Sequence, residues 1–225
     1  ESDKLEYKPV LVDLRNMVNT VLSIARGYIE NRDLNFCVSR EELKTPYVMA
    51  DELRIREVLL NIISNAIKFT KDGGTISFVA ENCPGKDEHH LIVRYHISDT
   101  GIGMSEEFQT RIFDEFSQEN DGARTSYKGT GLGMAIAKQY VDLMGGKIEV
   151  SSRQGIGSAF TVEIPLLIAE HVLTEEKEKL RKDIDLHGLH VLLAEDNDLN
   201  AEIAVSLLEE QGMIITRAAD GKSAL

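Results

Sequence analysis

Glu57-Val-Leu-Leu-Asn61-Ile-Ile-Ser-Asn65-Ala-Ile-Lys68 carries two patterns at once. At 100° per residue, positions 57, 61, 65 and 68 fall within an arc of roughly 80° on a helix. Between them stand Val58, Leu59, Ile62, Ile63, Ala66 and Ile67, all apolar. The stretch therefore predicts a mostly buried helix with one stripe of Glu, Asn, Asn and Lys. Buried polar groups are costly unless something satisfies them, so the stripe asks for a polar ligand. Asp51 stands where the helix opens and is an expected N-cap; Lys71-Asp-Gly-Gly74 is expected to end it.

Two further motifs follow in order. Asp99-Thr-Gly-Ile-Gly103 comes after an alternating stretch, and Gly129-Thr-Gly-Leu-Gly133 comes before a helical one. Together the three place amide, carboxylate and glycine chemistry where a magnesium-bound nucleotide needs it. Gly129, Gly131 and Gly133 precede and open a helix expected at 131–144, whose N-terminal N–H groups and dipole attract phosphate. The spacing Gly-Thr-Gly-Leu-Gly-Met fits neither a dinucleotide fingerprint nor a P-loop.

Periodicity sets the rest. Lys4 to Pro9 reads as a strand and 11–30 as an amphipathic helix, with Leu14, Met17, Val18, Val21, Leu22, Ala25, Tyr28 and Ile29 at helical spacing. Leu34 to Ser39 and Tyr47 to Ala50 read as strands. Residues 75–82 and 90–98 alternate around the turn Cys83-Pro-Gly-Lys-Asp87 and form an expected hairpin. A short helix is expected at 105–112. Two strands are expected at 147–152 and 158–165, after a stop at Gly145-Gly146. Residues 117–131 are polar and aperiodic, which between phosphate-side motifs reads as a lid.

Composition narrows the field. Acidic residues outnumber basic ones 38 to 25, for a net charge of −13, which argues against a nucleic-acid partner. A nucleotide site needs only local positive charge. No stretch reaches the roughly 20 apolar residues of a membrane span. Cys37 and Cys83 are expected to be free thiols in a reducing cytosol. The acidic start carries no signal peptide and reads as part of a longer protein, either cytoplasmic throughout or membrane-anchored outside this stretch.

The ordered motifs resemble the N, G1 and G2 boxes of the Bergerat ATP-binding fold, shared by sensor histidine kinases, DNA gyrase, Hsp90-type chaperones and mismatch-repair ATPases. Phe113-Asp-Glu-Phe116 resembles the F box of the histidine kinase branch, and Gly155-Ile-Gly157-Ser158 its last glycine box. The resemblance spans about residues 4–166. It implies an α+β domain, a two-layer α/β sandwich, over 1–168. It implies that Asp99 accepts a hydrogen bond from the adenine amine, and that Gly101 and Gly103 let the backbone pass close to the base. Asn65 is implied as the Mg²⁺ ligand, and Lys68 as a phosphate contact. The backbone around Gly129, Gly131, Leu132 and Gly133 would cradle phosphate, and Ser158 would join the nucleotide site. Asn61 stands where gyrase and Hsp90 relatives carry a glutamate. An amide cannot take a proton from water at neutral pH, so this position points to phosphoryl transfer to a protein. Arg124 and Lys128 either touch phosphate or are solvated; Glu57 is either functional or a solvated helix residue. His89-His90 is expected to be exposed.

From 169 to 187 the chain becomes charge-dense, as a linker or exposed helix would. His190-Val-Leu-Leu-Ala-Glu-Asp196 then starts a second unit at 188–225, with a helix to Gln211 and a strand from Met213 to Arg217. It resembles the beginning of a response-regulator receiver domain, a flavodoxin-like doubly wound sheet, of which it would be a truncated βαβ fragment. Glu195 and Asp196 would be part of its Mg²⁺ site, incomplete without the phosphate-accepting aspartate. Such a fragment is expected to dock on the first domain or to pair with a second copy.

The whole resembles a hybrid sensor histidine kinase cut to its catalytic domain plus a receiver fragment. Its partners would be ATP, the phosphoacceptor histidine domain of the same protein and a receiver domain, in a homodimeric parent. None of the six histidines sits in an acceptor motif, so the chain alone is not expected to autophosphorylate. The competing readings are an ATP-driven machine of the gyrase or chaperone type and a non-enzymatic nucleotide-binding module.

Overall fold

The computed structural model describes residues 6–30, 32–40, 43–45, 47–119, 130–169, 187–195, 201, 204–205, 208–209 and 212–218. The chain divides into two compact units, Glu1–Val172 and Leu173–Leu225.

In the first unit the strands are β1 (Val10–Asp13), β2 (Asn35–Ser39), β3 (Tyr47–Ala50), β4 (Thr75–Pro84), β5 (His90–Asp99), β6 (Lys147–Arg153) and β7 (Gly157–Ile168). The helices are α1 (Leu14–Ile29), α2 (Glu52–Phe69), α3 (Glu106–Gln109) and α4 (Gly133–Leu143). The strands form one sheet in the order β1-β3-β7-β5-β4-β2, with β6 on the β3 side of β7. All its pairs are antiparallel except β2 with β4. Alternation along β4 and β5 buries Ile76, Phe78 and Ala80, and Leu91, Val93, Tyr95 and Ile97. These meet the apolar faces of α1, α2 and α4 in one core. Each fully buried Leu or Ile there contributes about 1.5–3 kcal/mol.

Local chemistry sets the helix ends. Asp13 accepts from the N–H groups of Arg15 and Asn16 at 2.9 and 3.1 Å, so α1 starts at Leu14 rather than at 11. Asp51 caps α2 through Arg54 N–H at 3.2 Å, as the sequence predicts, and also accepts Lys8 N–H at 3.1 Å. At the other end of α2, the Arg32 guanidinium donates to the Ile67 and Thr70 carbonyls at 3.4 and 2.9 Å.

Several expected bounds move. The first strand is Val10–Asp13, not Lys4 to Pro9, because it pairs with β3 through Val10 and Ala50. The helix expected at 105–112 is regular only from Glu106 to Gln109, and turns carry the chain on. Helix α4 begins at Gly133 because Gly131 sits at φ +73°, outside helical space. Strand β7 runs on to Ile168, where it pairs with Val48 of β3. Of the lid expected at 117–131, positions 120–129 lie outside the described residues.

In the second unit β8 (His190–Ala194) and β9 (Ile214–Ala218) pair in parallel, His190 opposite Ile214. Ala201, Ala204, Val205, Leu208 and Glu209, between them, are helical. A parallel pair with an intervening helix is a βαβ arrangement.

Candidate functional site

Helix α2, the β5 end, the β7 start and the α4 N-terminus surround a cavity of about 280 Å³. Asn61, Asn65 and Lys68 line it from one stripe of α2. The opposite, apolar face of that helix, with Ile55, Val58, Leu59, Ile62 and Ile63, is fully buried. The Lys68 ammonium lies 4.9 Å from the centroid of the Phe69 ring, which holds the long side chain at the cavity edge.

Asp99 closes the far end. It ends β5, opposite Ser158 at the start of β7. Its carboxylate accepts Gly101 N–H at 2.8 Å and the backbone N–H of Ser158. Burial pushes its pKa up from the ordinary carboxylate value, and those two hydrogen bonds pull it back. A partly buried carboxylate facing a cavity is suited to a directional donor such as an aryl amine.

The glycines place backbone against backbone. A Cβ at Gly103 would lie 2.0 Å from the Arg153 carbonyl oxygen, and one at Gly157 would lie 1.9 Å from that of Asp99. No side chain fits at either point, so the loop after β5 packs directly on the β6–β7 turn. Gly155 N–H donates to Ile102 O at 2.7 Å across the same junction. At the other end, a Cβ at Gly133 would come within 3.1 Å of Asn61 Oδ1. The N-terminus of α4 therefore abuts the polar stripe of α2, with its first-turn N–H groups beside the cavity.

The structure thus brings together Asn61, Asn65, Lys68, Asp99, Gly103, Gly131, Gly133 and Ser158 around one cavity. Gly101 is not in the lining; it holds Asp99 from behind. Leu132 is also outside the lining and accepts Ile136 N–H at 2.9 Å in the first turn of α4. Glu57 does not reach the cavity: its carboxylate pairs with Arg54 at 3.1 Å, and Arg54 donates to the Tyr140 hydroxyl at 2.7 Å. Arg124, Lys128, Gly129 and Asp196 lie outside the described residues. In the second unit, Glu195 N–H donates to Ala218 O at 3.1 Å.

Sequence reasoning missed much of the wall. Ile102, Met104, Phe108, Ile112, Met134 and Phe160 line the cavity, but their apolar character is indistinguishable from that of core residues. Glu119 was also missed; it lines the cavity and accepts Ser105 N–H at 3.0 Å. A polar segment gives no sign of which of its members turns inward.

The family model described as "Histidine kinase-, DNA gyrase B-, and HSP90-like ATPase" matches residues 50–168. The circadian input-output histidine kinase CikA of Synechococcus elongatus is 38% identical over 176 residues, 78% of this chain and 22% of its own length. The autoinducer 2 sensor kinase/phosphatase LuxQ of Vibrio parahaemolyticus is 33% identical over 229 residues, 100% of this chain and 26% of its own. The chain thus spans about a quarter of the length of these curated relatives. Among solved structures, full-length ShkA in complex with AMPPNP matches with a TM-score of 0.59 and 26% identity, over 100% of this chain and 43% of that one. The mixed sheet with one helical layer is accordingly the histidine kinase ATPase fold. The chain belongs to the histidine kinase-, DNA gyrase B- and HSP90-like ATPase family and carries the ATP-binding catalytic domain of a sensor histidine kinase.

Proposed function

We propose that this domain, over 1–168, binds Mg-ATP in the α2–α4 cavity and donates the γ-phosphoryl group to a histidine on an upstream dimerisation domain of the same protein. The observation that carries the reading is the cavity itself. It joins an amide-and-lysine wall to a partly buried carboxylate at one end and a helix N-terminus at the other. Asp99, backed by Gly101 and Ser158, takes the adenine amine. The backbone at Gly103 follows the base. Lys68 and the segment from Lys128 and Gly129 through Gly131, Leu132 and Gly133 meet the phosphates. ShkA, a relative in fold and sequence, holds a nucleotide analogue.

The charges fit a metal-bound nucleotide. Among the described lining residues, Lys68 is the cation, against the carboxylates of Asp99 and Glu119. A bare triphosphate would enter an electronegative site, so a divalent cation is needed. Asn65 supplies a neutral oxygen for it beside the phosphates. Bound Mg²⁺ would neutralise charge that develops on the transferring group. Asn61 orients rather than deprotonates, because an amide is no base near neutral pH. This favours a protein acceptor over water and separates the domain from ATP-hydrolysing relatives. The rest of the chain's work is positioning.

Residues 169–187 would be a linker, and 188–225 would belong to a receiver domain, with Glu195 and Asp196 at its Mg²⁺ site. The parent would be a homodimer with this domain in the cytoplasm. The test of the site is Asp99→Ala. Losing the acceptor for the adenine amine leaves a buried group unpaired, at about 1–3 kcal/mol, so ATP affinity should fall roughly tenfold or more. Equal calorimetric affinity in variant and parent would reject the adenine assignment.

A further inference from the structure

Ser152, in β6, is a hydrogen-bond hub just behind the adenine end of the cavity. Its register partner on β7 is Ser158. Its hydroxyl has three close polar relations to settle with one proton and two lone pairs. Met104 N–H donates to Ser152 Oγ at 2.8 Å. Ser152 Oγ donates to the Gly157 carbonyl at 2.9 Å. The Ser158 hydroxyl oxygen lies 3.0 Å away. Gln109 holds the residue itself, taking Ser152 N–H at 2.9 Å and donating to its carbonyl at 3.0 Å.

Valence settles the remaining proton. The Gly157 carbonyl can only accept, so the Ser152 proton goes there; aimed elsewhere, it would leave two oxygens facing each other at 2.9 Å. One Ser152 lone pair is taken by Met104 N–H. The other is left for Ser158, whose hydroxyl must therefore donate to Ser152. Ser158 lines the cavity and Ser152 does not. With its proton turned away, the Ser158 oxygen faces the cavity with lone pairs only. Beside it stands Asp99, whose carboxylate is already engaged by the N–H groups of Gly101 and Ser158.

We propose that Ser152 is a positioning residue that sets base specificity, by taking the Ser158 proton and leaving the Asp99–Ser158 edge of the cavity an acceptor-only surface. The inference rests on the reading of this end as the purine site. Such an edge accepts a purine amine and repels a purine carbonyl at the same position. Repulsion of the wrong base then depends on a residue that touches no ligand.

The experiment compares ATP with inosine triphosphate, which has the same ribose and triphosphate but a carbonyl in place of the amine. Both are titrated calorimetrically, with Mg²⁺, into the 225-residue chain. The parent should prefer ATP. In Ser152→Ala the Ser158 hydroxyl is released to donate into the cavity, and the preference should narrow roughly fivefold to tenfold, the worth of one hydrogen bond. Ser152→Thr keeps the hydroxyl and should keep the preference. Ser152→Cys preserves volume but accepts weakly, and should narrow it if the alanine variant fails to fold. In a Ser158→Ala background, Ser152→Ala should leave the preference as it finds it. A loosened structure would instead weaken both nucleotides alike. An unchanged preference in folded Ser152→Ala or Ser152→Cys overturns the proposal. So does narrowing that persists without the Ser158 hydroxyl. A parent that binds both nucleotides equally overturns the adenine reading, and this inference with it.

Discussion

Asp99 stands between two demands. The proposed adenine contact calls for an ionised acceptor, whereas burial disfavours ionisation and raises its pKa, partly offset by Gly101 and Ser158 N–H groups. An acid whose pKa is raised by folding contributes stability that is present below its unfolded value and lost as pH rises through its folded value. At neutral pH the ionised group is thus a net cost to the nucleotide-free fold. Asn at this position keeps the shape and one accepting oxygen, without the charge. We expect Asp99→Asn to melt at the same temperature as the parent or higher at neutral pH. The difference should shrink on acidification, and the variant should still lose ATP binding. Thermal unfolding across mildly acidic to neutral pH reads the first part and calorimetry the second. A variant less stable at every pH would show that the carboxylate supports the fold rather than the ligand.

At the scale of elements, two places show packing and local preference pulling apart. Gly131 is left-handed, at φ +73°, and a Cβ there would meet the Phe116 backbone at 2.8–2.9 Å. Phe116 itself is left-handed, at φ 60°, and largely exposed. The end of the Phe113–Phe116 box therefore rests directly on the loop that leads into α4. Gly131→Ala adds a left-handed cost of about 1–2 kcal/mol and a backbone clash. If the proposed site is right, only the phosphates meet α4, and it should weaken ATP far more than adenosine; equal losses for both would place the damage elsewhere. Tyr95 is the second place. It is fully buried in β5, its ring is 6.2 Å from Phe78, and its hydroxyl finds no partner among the described residues. Burial alone pushes that hydroxyl's pKa well up. An unpaired buried hydroxyl costs about 1–3 kcal/mol, so Tyr95→Phe should raise the denaturant midpoint with an unchanged slope. A lowered midpoint would mean the hydroxyl has a partner, such as a buried water. The same tension explains what the sequence disclosed. The α2 stripe was legible because six apolar neighbours and a capping aspartate agree on one helix. The start of α4 and the end of β7 were not, because a glycine's backbone angle and pairing with β3 decide them. The motif residues of the site were legible as spaced polar groups and glycines. Ser152 was not, since nothing in a strand's alternation distinguishes a hydrogen-bond hub from a solvated serine.

For the whole molecule the question is where the phosphoryl group goes. Phosphotransfer needs an imidazole that can reach the γ-phosphate, and no histidine lines the cavity among the described residues. His90 is engaged by Asp87 at 2.6 Å, next to His89 at the β4–β5 turn, and His96 by Thr161 at 3.1 Å in mid-sheet. His187 and His190 belong to the second unit, and His171 lies outside the described residues. Water is no easy alternative, because Asn61 cannot serve as its base. On the proposed reading, the domain would hold ATP unspent until an acceptor is presented. Incubated with γ-labelled ATP and Mg²⁺, the 225-residue chain should stay unlabelled and hydrolyse ATP slowly. A separately supplied helical dimerisation domain carrying the acceptor histidine should take up acid-labile, alkali-stable label, and Asp99→Ala should reduce that uptake in step with its lost affinity. Acid-labile label on the isolated chain would show that one of its own histidines is an acceptor. Rapid hydrolysis without acceptor would move the domain towards the gyrase and chaperone branch, with a base other than Asn61.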